Sequence, residues 1–466
     1  MKRMNLYIAT GALAVSMLSS CTKDFLVKEP ISDATPEKVS AEPLLKGAYQ
    51  NMYDEYYTYD YVVNGDVQSD NAYAGGDNAN IFAIDKFTMN ASNANLKRDW
   101  RYLYADIKNC NIVLDAVANS VDKTITEERR QQILGEASFL RAWHYFNLIR
   151  TWKEVPIVDQ VKSSLPDIFP SKSSTEAVYA FIIKDLEYSL ERISDQRTNK
   201  AVASKGAVYA LLAKVYAQKP NPDYAKVLEY CKEVEKLGYD LTPNFSTLFA
   251  PLAANNIESI WETTYDGKQN QNWMAGMNTP FMWGDWKKFN IPSHEIVKAF
   301  TAENDSVRGK ASLVYVTPNW NDDYWTKPLP VIGKYTDADG RNTAYRLRYA
   351  DILLLRAEAL VELNQLDNSV NGAQYYINKV RTRAILNPTP ARTQAELRLA
   401  VEKERQLELA FEGHRMFDLI RTKRAVTVMN AAKDGNGNNL NYGVTEDKLY
   451  WPISQDEIDT NPNINK

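Results

Sequence analysis

The sequence contains little cysteine, little histidine and no block of basic residues. Its 466 residues include three cysteines and three histidines, and its formal net charge is −4. A nucleic-acid-binding surface needs clustered Lys and Arg, so the composition disfavours that class. Cys110 and Cys231 are compatible either with a disulfide or with two buried thiols on helices.

Common catalytic and metal-binding motifs are also missing. No G-x-S-x-G, P-loop or dinucleotide-binding glycine pattern occurs. HEIVK at 294–298 begins like a zinc-protease helix, but Lys298 stands where the second ligand would be. DADGRN from 337 and DGNGNN from 434 lack the Gly and Glu of a calcium loop and are predicted to be turns. The sequence therefore predicts no catalytic residue, no metal and no cofactor. A glycosidase carboxylate pair has no fixed spacing and stays an unsupported alternative.

Long apolar runs are missing as well, except for a short one at the N-terminus. The stretch 6–18 follows two cations and is shorter than the roughly 20 residues that span a bilayer. LSSC at 18–21 then matches a bacterial lipobox. We predict a lipoprotein signal peptide at 1–20, lipidation (including palmitate) at Cys21, and a tether at 21–40 that anchors the chain to a membrane. The alternative is a plain secreted protein with a chance cysteine at the cleavage site.

From Trp100 onward, apolar residues recur at helical spacing. Two helix pairs, at 204–239 and 349–384, each enclose a polar turn and interlock small with large residues. Units of about 34 residues with this design are typical of tetratricopeptide (TPR) repeats, although the strict consensus is not met. We predict a mostly all-α fold, a TPR-like α-solenoid with helical units within about 100–240 and 345–425 and a few short strands.

Two long irregular stretches, 54–99 and 240–345, interrupt the helical pattern and are the predicted ligand-binding insertions. Six of the ten tryptophans lie between 261 and 325, among amides and carboxylates. Aromatic rings beside such groups are typical of sugar-binding surfaces, because sugar C–H faces stack on rings and hydroxyls bond to the polar groups. Trp261, in a strand-like segment, is instead predicted to be buried. The predicted glycan-binding residues are Trp273, Trp283, Trp286, Trp320, Tyr324 and Trp325, with Asp70, Asn71 and Tyr73 from the first insertion. For Asp70, Asn71 and Tyr73, as for Asp77 and Asn78 in the same stretch, a role in capping and turning the chain is an equal alternative.

Several longer motifs occur in a fixed order: WRYLYADIKNCNIVL, GEASFLRAWHYFNLIRTWKEVPI, RYADILLLRAEAL, ERQLELAFEGHRMFDLIR and LYWPISQDEIDTNPNI. With the lipobox, they make the chain resemble the SusD/RagB family of Bacteroidetes outer-membrane lipoproteins over nearly its full length. Glu154 departs from the pattern, since many members have Gly before V-P-I. The resemblance implies one SusD-like domain at 41–466, a cell-surface lipid anchor on the outer membrane, and a SusC-like TonB-dependent transporter as partner.

The motif at 404–421 is the most specific of these and invites a catalytic interpretation of His414 or Glu412. We expect instead a buried ion-pair network that fixes helix units to one another. Glu404, Glu408 and Glu412 recur at i+4 spacing, and the expected partners are Arg405, Arg415, Asp418 and Arg421.

The leading functional hypothesis is a non-enzymatic surface lipoprotein that captures an oligosaccharide and delivers it to the transporter. A peptide-binding lipoprotein of the same kind of uptake complex is the alternative. A glycan-cleaving enzyme is disfavoured by the missing motifs. A scaffold for protein partners alone would not explain the lipobox or the aromatic loops.

Overall fold

The structure is a computed structural model in which seven segments are described: 40–118, 124–161, 169–251, 253–280, 286–321, 323–335 and 337–465. The predicted signal peptide, Cys21 and Trp283 lie outside the described residues.

Helices form most of the described chain. In chain order they are α1 Ala41–Gln50, α2 Tyr61–Asp66, α3 Ala79–Asp85, α4 Ala94–Ala118, α5 Glu127–Trp152, α6 Thr175–Leu190, α7 Lys205–Gln218, α8 Tyr224–Lys236, α9 Trp273–Asn278, α10 His294–Ala302, α11 Ser306–Ser312, α12 Tyr349–Glu362, α13 Ala373–Arg383, α14 Gln394–Glu408, α15 Arg415–Arg421, α16 Ala425–Ala431 and α17 Gln455–Thr460. A π-helical turn, Tyr56–Asp60, precedes α2.

The short strands form three antiparallel pairs. The strands are β1 Ala72–Ala74, β2 Ser259–Thr263, β3 Asn290–Pro292, β4 Leu313–Val316, β5 Leu329–Ile332 and β6 Ala344–Arg348. Strand β1 pairs with β3 in a register that places Tyr73 opposite Ile291. Strand β2 pairs with β6, and β4 with β5.

The long helices stack in sequence order, from α4 through α8 and then onto α12 and α13. Helix α5 is the centre of this stack, because every residue from Ile133 to Trp152 is buried. Local chemistry fixes the helix ends: Ser174 caps α6 by accepting a hydrogen bond from the Ala177 amide, and α14 begins with a capping box at Thr393. The predicted TPR-like α-solenoid is confirmed.

One apolar core runs from α1 through the stacked helices to the C-terminal segment. Trp261 of β2 is 1% exposed and meets Phe139 and Trp143 edge-on, at centroid distances of 4.9 and 5.1 Å. Its predicted burial is confirmed. Cys110 and Cys231 are free, buried thiols, so the helix alternative is correct and the disulfide is not formed.

The short apolar run at 6–18 lies outside the described segments. Among the helices that are described, none is both long and apolar enough to span a membrane.

Candidate functional site

Four aromatic side chains from three separate segments form a continuous stack beside the β1–β3 pair. The rings of Tyr73 and Tyr324 are nearly parallel, with centroids 4.0 Å apart. Tyr324 in turn stacks on His294 at 4.7 Å, and His294 lies 3.6 Å from Trp325. Since β1, the start of α10 and the segment before β5 each contribute, the fold creates a site that no local sequence pattern contains. We call these four residues the aromatic stack.

Hydrogen bonds fix the orientation of these rings. Trp325 Nε1 donates to the Pro292 carbonyl at 2.9 Å. The Tyr324 hydroxyl accepts from the His294 amide at 3.3 Å, and His294 Nε2 lies 3.1 Å from the Tyr324 carbonyl oxygen. The stack is therefore rigid before any ligand arrives.

The stack is also uncharged at neutral pH. Burial raises the pKa of Tyr324 to about 12, so its phenol stays protonated. Burial, with Lys298 nearby, lowers the pKa of His294, so its imidazole is neutral. Neutral rings present apolar faces and hydrogen-bonding edges, which is the combination that sugars use.

The predicted glycan-binding residues Trp320, Tyr324 and Trp325 come from the loop at 319–325, and this loop is only partly exposed. Trp320, Tyr324 and Trp325 are half-buried and pack against the buried Ile291, Leu329 and Val331. Pairing of β4 with β5 turns this loop inward onto β3, which explains why its rings lose much of their exposure. Tyr73, with 6% exposure, is the innermost ring of the stack.

Two other predicted residues do face solvent. Trp286 is 55% exposed, and Trp273, the first residue of α9, is 37% exposed. Helix α9 contacts β3, and the Phe289 amide donates to the Met277 carbonyl at 3.2 Å. Trp273 therefore belongs to a helix that contacts β3, and Trp286 lies four residues before β3 in the chain. Strand β3 in turn pairs with β1, which carries Tyr73. We refer to Trp273, Trp286 and the aromatic stack together as the aromatic surface.

Asp70 and Asn71 lie beneath this surface and are committed to protein contacts. Asp70 accepts two hydrogen bonds from Arg415, at 2.6 and 2.8 Å, and one from Gln406 at 2.9 Å. Asn71, fully buried, donates to Asp66 at 3.3 Å. Burial turns both side chains inward, which favours the structural alternative for them, and their contact with a ligand stays a prediction. Asp70 fixes the first insertion to α14 and α15, whereas the side-chain bond of Asn71 lies within that insertion.

Sequence reasoning missed His294 as a member of the site. The HEIVK motif drew attention to it only as a metal ligand. The turn that begins at Asp434 closes over its ring, since a Cβ at Gly435 would lie 2.7 Å from two imidazole atoms. Nothing in the sequence links these distant segments. In the described part of the chain, no three His, Cys, Asp or Glu side chains converge as a metal site requires.

The C-terminal motif forms the expected buried ion-pair network. Within the motif Asp418 pairs with Arg405 at 2.9 Å and with Arg421 at 2.8 Å, but the glutamates have other partners than expected. Its glutamates bind cations from distant segments: Arg308 with Glu404, Arg348 with Glu408 and Glu412, Arg383 with Glu408, and Lys334 with Glu412. Glu258, from outside the motif, joins the network through Arg348 and Arg383. The motif's own arginines, Arg405, Arg415 and Arg421, pair with Asp351, Asp70 and Glu358. The motif is therefore structural, and His414 is buried within it with its pKa lowered by burial to about 3.

A cavity of about 540 Å³ lies between α12, α14 and α15, and none of the predicted site residues lines it. Two of its cations are already paired: Arg398 with Glu362 at 2.6 Å and Arg424 with Glu402 at 2.9 Å. Its one aromatic residue, Tyr224, donates to Glu358 at 3.4 Å. Because it offers so little aromatic area, this cavity lacks the chemistry that distinguishes the aromatic surface.

Fold and site together define a helical scaffold protein that presents an aromatic surface from its inserted loops. Known proteins are similar to it in both sequence and architecture. A family model described as "SusD family" matches residues 331–466, and one described as "Starch-binding associating with outer membrane" matches 24–217. The chain belongs to the SusD family.

Individual relatives agree with this assignment. The SusD-like protein P2 of Formosa agariphila is 27% identical over 424 residues, which are 82% of each chain. A SusD-like carbohydrate-binding protein of Bacteroides fragilis is similar in structure, with a TM-score of 0.79, 23% identity, and coverage of 91% of this chain and 98% of that one. A laminarin-binding SusD-like protein is similar too, with a TM-score of 0.76, 22% identity, and coverage of 91% and 97%.

Proposed function

We propose that this chain is a cell-surface glycan-binding lipoprotein, which captures oligosaccharide at the aromatic surface. The observation that supports it best is the rigid, uncharged stack of Tyr73, Tyr324, His294 and Trp325 beside the exposed Trp273 and Trp286. Sugar rings would stack on the two indoles, while the stack holds the loops that present them. The starch-binding description of the family model and the laminarin-binding relative point to the same ligand class.

The rest of the proposal concerns where the chain acts and with what. Residues 1–20 would direct export, lipid on Cys21 would anchor the chain to the outer membrane, and 41–466 would form the binding domain. A SusC-like TonB-dependent transporter would receive the oligosaccharide. Binding without cleavage is part of the proposal, so the purified chain should release no product from a glycan that it binds.

Affinity electrophoresis tests the binding proposal. Wild type should be retarded in native gels that contain laminarin or starch, and Trp286→Ala and Trp273→Ala should each migrate faster than wild type. Tyr375→Ala is the matched control, because Tyr375 is 38% exposed on α13 and should not affect retardation.

Two results would contradict the proposal. One is equal retardation of wild type and both tryptophan variants by a glycan that binds. The other is recovery of peptides, and not sugars, by mass spectrometry of ligand that co-purifies with the chain, which would favour the peptide-binding alternative.

A further inference from the structure

Lys153 adopts a backbone conformation that a lysine rarely takes. Its φ is 68° and its ψ is −50°, and the Glu154 amide donates to the Trp152 carbonyl at 2.8 Å. These values define a γ-turn of the rare positive-φ kind, which strains any residue with a Cβ. The surroundings hold it in place: the Lys153 amide donates to Ile149 at 3.0 Å, and its carbonyl accepts from the Thr175 hydroxyl at 3.0 Å. Strain held in this way is found most often at ligand sites.

The strained turn opens onto a cavity of about 460 Å³, within the roughly 300–1,000 Å³ typical of small-molecule sites. Its aromatic wall comprises Phe87, Trp152, Tyr450 and Trp451. Phe87 is itself a positive-φ residue, at 53°. Two strained, non-glycine residues therefore line one cavity.

Two residues of this aromatic wall are held in place by protein contacts. Trp152 and Trp451 meet edge-on with centroids 5.6 Å apart. Trp152 Nε1 donates to the Pro452 carbonyl at 3.0 Å, and Trp451 Nε1 donates to Gln68 at 3.3 Å. Both indole N–H groups are satisfied by protein and both side chains are buried, so only a small apolar area of each ring faces the cavity. The half-buried Tyr450 supplies the more accessible ring.

The rim carries polar groups that have unused hydrogen-bonding capacity. Lys153 is exposed, and no carboxylate in the described segments pairs with it; its Nζ lies 5.5 Å from the centre of the Tyr450 ring. Glu154 reaches Lys172 only at 3.8 Å. Neither Glu446 nor the Tyr450 hydroxyl has a side-chain hydrogen bond to a described residue.

Donors and acceptors are balanced around this rim, because three lysines face three carboxylates: Lys153, Lys172 and Lys448 against Glu154, Glu446 and Asp447. A sugar hydroxyl both donates and accepts, so it can use both kinds of group. A rim of zero net charge exerts no net attraction on a sulfate or carboxylate of the ligand. The aromatic wall in turn suits the C–H face of a sugar ring.

We propose that this cavity is a second glycan site, which binds a neutral sugar residue and is distinct from the aromatic surface. The proposal rests on the proposed function for its ligand class. None of the residues of the aromatic surface lines the cavity. Two sites on one chain would let a polysaccharide bind with higher avidity than either site alone provides.

Calorimetric titration of the purified full chain tests this proposal with two short probes, laminarihexaose and maltoheptaose, and with laminarin and starch. Lys153→Gly/Glu446→Ala removes two exposed rim groups and relaxes the turn. The matched control is Lys232→Ala/Glu128→Ala, which alters two exposed charges on helices away from the cavity. Wild type should bind two equivalents of the short probe that it accepts, and the rim variant should bind one. Affinity of the rim variant for the matching polysaccharide should fall about tenfold or more, while the control variant stays at wild-type values.

The outcomes separate the two proposals. Unchanged stoichiometry in the rim variant, with binding lost in Trp286→Ala, would overturn the second site and leave the proposed function intact. Binding lost in the rim variant, with Trp286→Ala unchanged, would support the cavity and overturn the aromatic surface. A wild-type chain that binds none of these probes would overturn both.

Discussion

The phenol rings of Tyr73 and Tyr324 lie 4.0 Å apart and within 20° of parallel, although they come from the two different insertions of the chain. Tyr73 is fixed from below by the pairing of β1 with β3. Tyr324 is fixed from above through His294 and Trp325. This contact joins the two insertions beside the β1–β3 pair.

Replacing Tyr324 should therefore weaken glycan binding strongly and lower the free energy of unfolding only modestly. Tyr324→Ala removes three ring contacts, with Tyr73, His294 and Trp325, and such contacts are each worth about 0.5–1.5 kcal/mol beyond area burial. We expect weaker glycan binding and a modest loss in the free energy of unfolding, measured by calorimetry and urea titration. Tyr324→Phe keeps the stack and loses only the hydroxyl that accepts from the His294 amide, so it should bind nearly as well as wild type. An equal loss of glycan affinity in Tyr324→Ala and Tyr324→Phe would contradict the stacking role.

Arg348 is the centre of the buried ion-pair network, with Glu258, Glu408 and Glu412 at 2.7–2.8 Å. Arg348→Met leaves these carboxylates without their shared cation in a dry interior. Breaking a buried pair from one side costs about 3–5 kcal/mol. The free energy of unfolding at pH 7, from urea titration, should fall by that amount.

The pair between Arg398 and Glu362 provides the matched control for this network. Arg398 is half exposed, and the two side chains contact at 2.6 Å on the surface. Exposed pairs contribute about 0–1 kcal/mol, so Arg398→Met should be nearly neutral. Similar decreases in the free energy of unfolding for Arg348→Met and Arg398→Met would contradict the expectation that the buried network contributes more to stability than the exposed pair.

Asp85 should make the chain less stable as pH rises towards neutrality. Burial raises its pKa to about 7, which outweighs the hydrogen bonds from the Ala74 amide and the Tyr442 hydroxyl. The unfolded carboxyl has a pKa near 4, so the native state binds the extra proton between these values. Stability from this group is complete below about pH 4 and is lost as pH rises through about 7.

Asp85→Asn keeps an acceptor oxygen and cannot ionise, so it isolates this effect. Wild type and variant should have similar unfolding free energies at about pH 4, and the variant should be the more stable at pH 8. The expected wild-type slope from this residue is about 1.4 kcal/mol per pH unit within the window. A constant difference between the two proteins from pH 5 to pH 8 would contradict the assignment.

Lipidation at Cys21 is testable in cells. Labelled palmitate should enter the wild-type chain, and Cys21→Ser should abolish incorporation and release the protein from the membrane fraction. Cys110→Ser is the control, because Cys110 is a buried thiol inside the fold and should not affect labelling. Label retained by Cys21→Ser would contradict the lipobox assignment.

The helical fold could be predicted because its information is local. Spacing of apolar residues along α4 and α5, and capping groups such as Ser174, specify each helix before tertiary contacts form. Burial of Trp261 could also be predicted, since β-branched and aromatic neighbours surround it in a strand-like segment.

The candidate site was harder to predict because its contacts are non-local. The stacking of Tyr73 on Tyr324 and of Tyr324 on His294 depends on three segments that only the folded chain brings together. The expected ion pairs of the 404–421 motif were assigned within the motif for the same reason. Arg348 comes from β6, and its contact with Glu412 has no periodicity that a sequence could reveal.

Relaxing the turn at Lys153 should stabilise the chain, whether or not the cavity beside it binds sugar. Glycine adopts positive φ without the clash that a Cβ causes, and strain of this kind is worth about 1–3 kcal/mol. Glycine also costs more backbone entropy on folding, about 0.5–1 kcal/mol, so Lys153→Gly should raise the free energy of unfolding by about 1 kcal/mol net. Lys153→Ala removes the same side chain and keeps the Cβ, so urea titration should show no such gain for it. Because Lys153→Gly is expected to be at least as stable as wild type, any loss of glycan binding that accompanies it reflects the cavity and not unfolding; a destabilised Lys153→Gly would show that the turn is not strained.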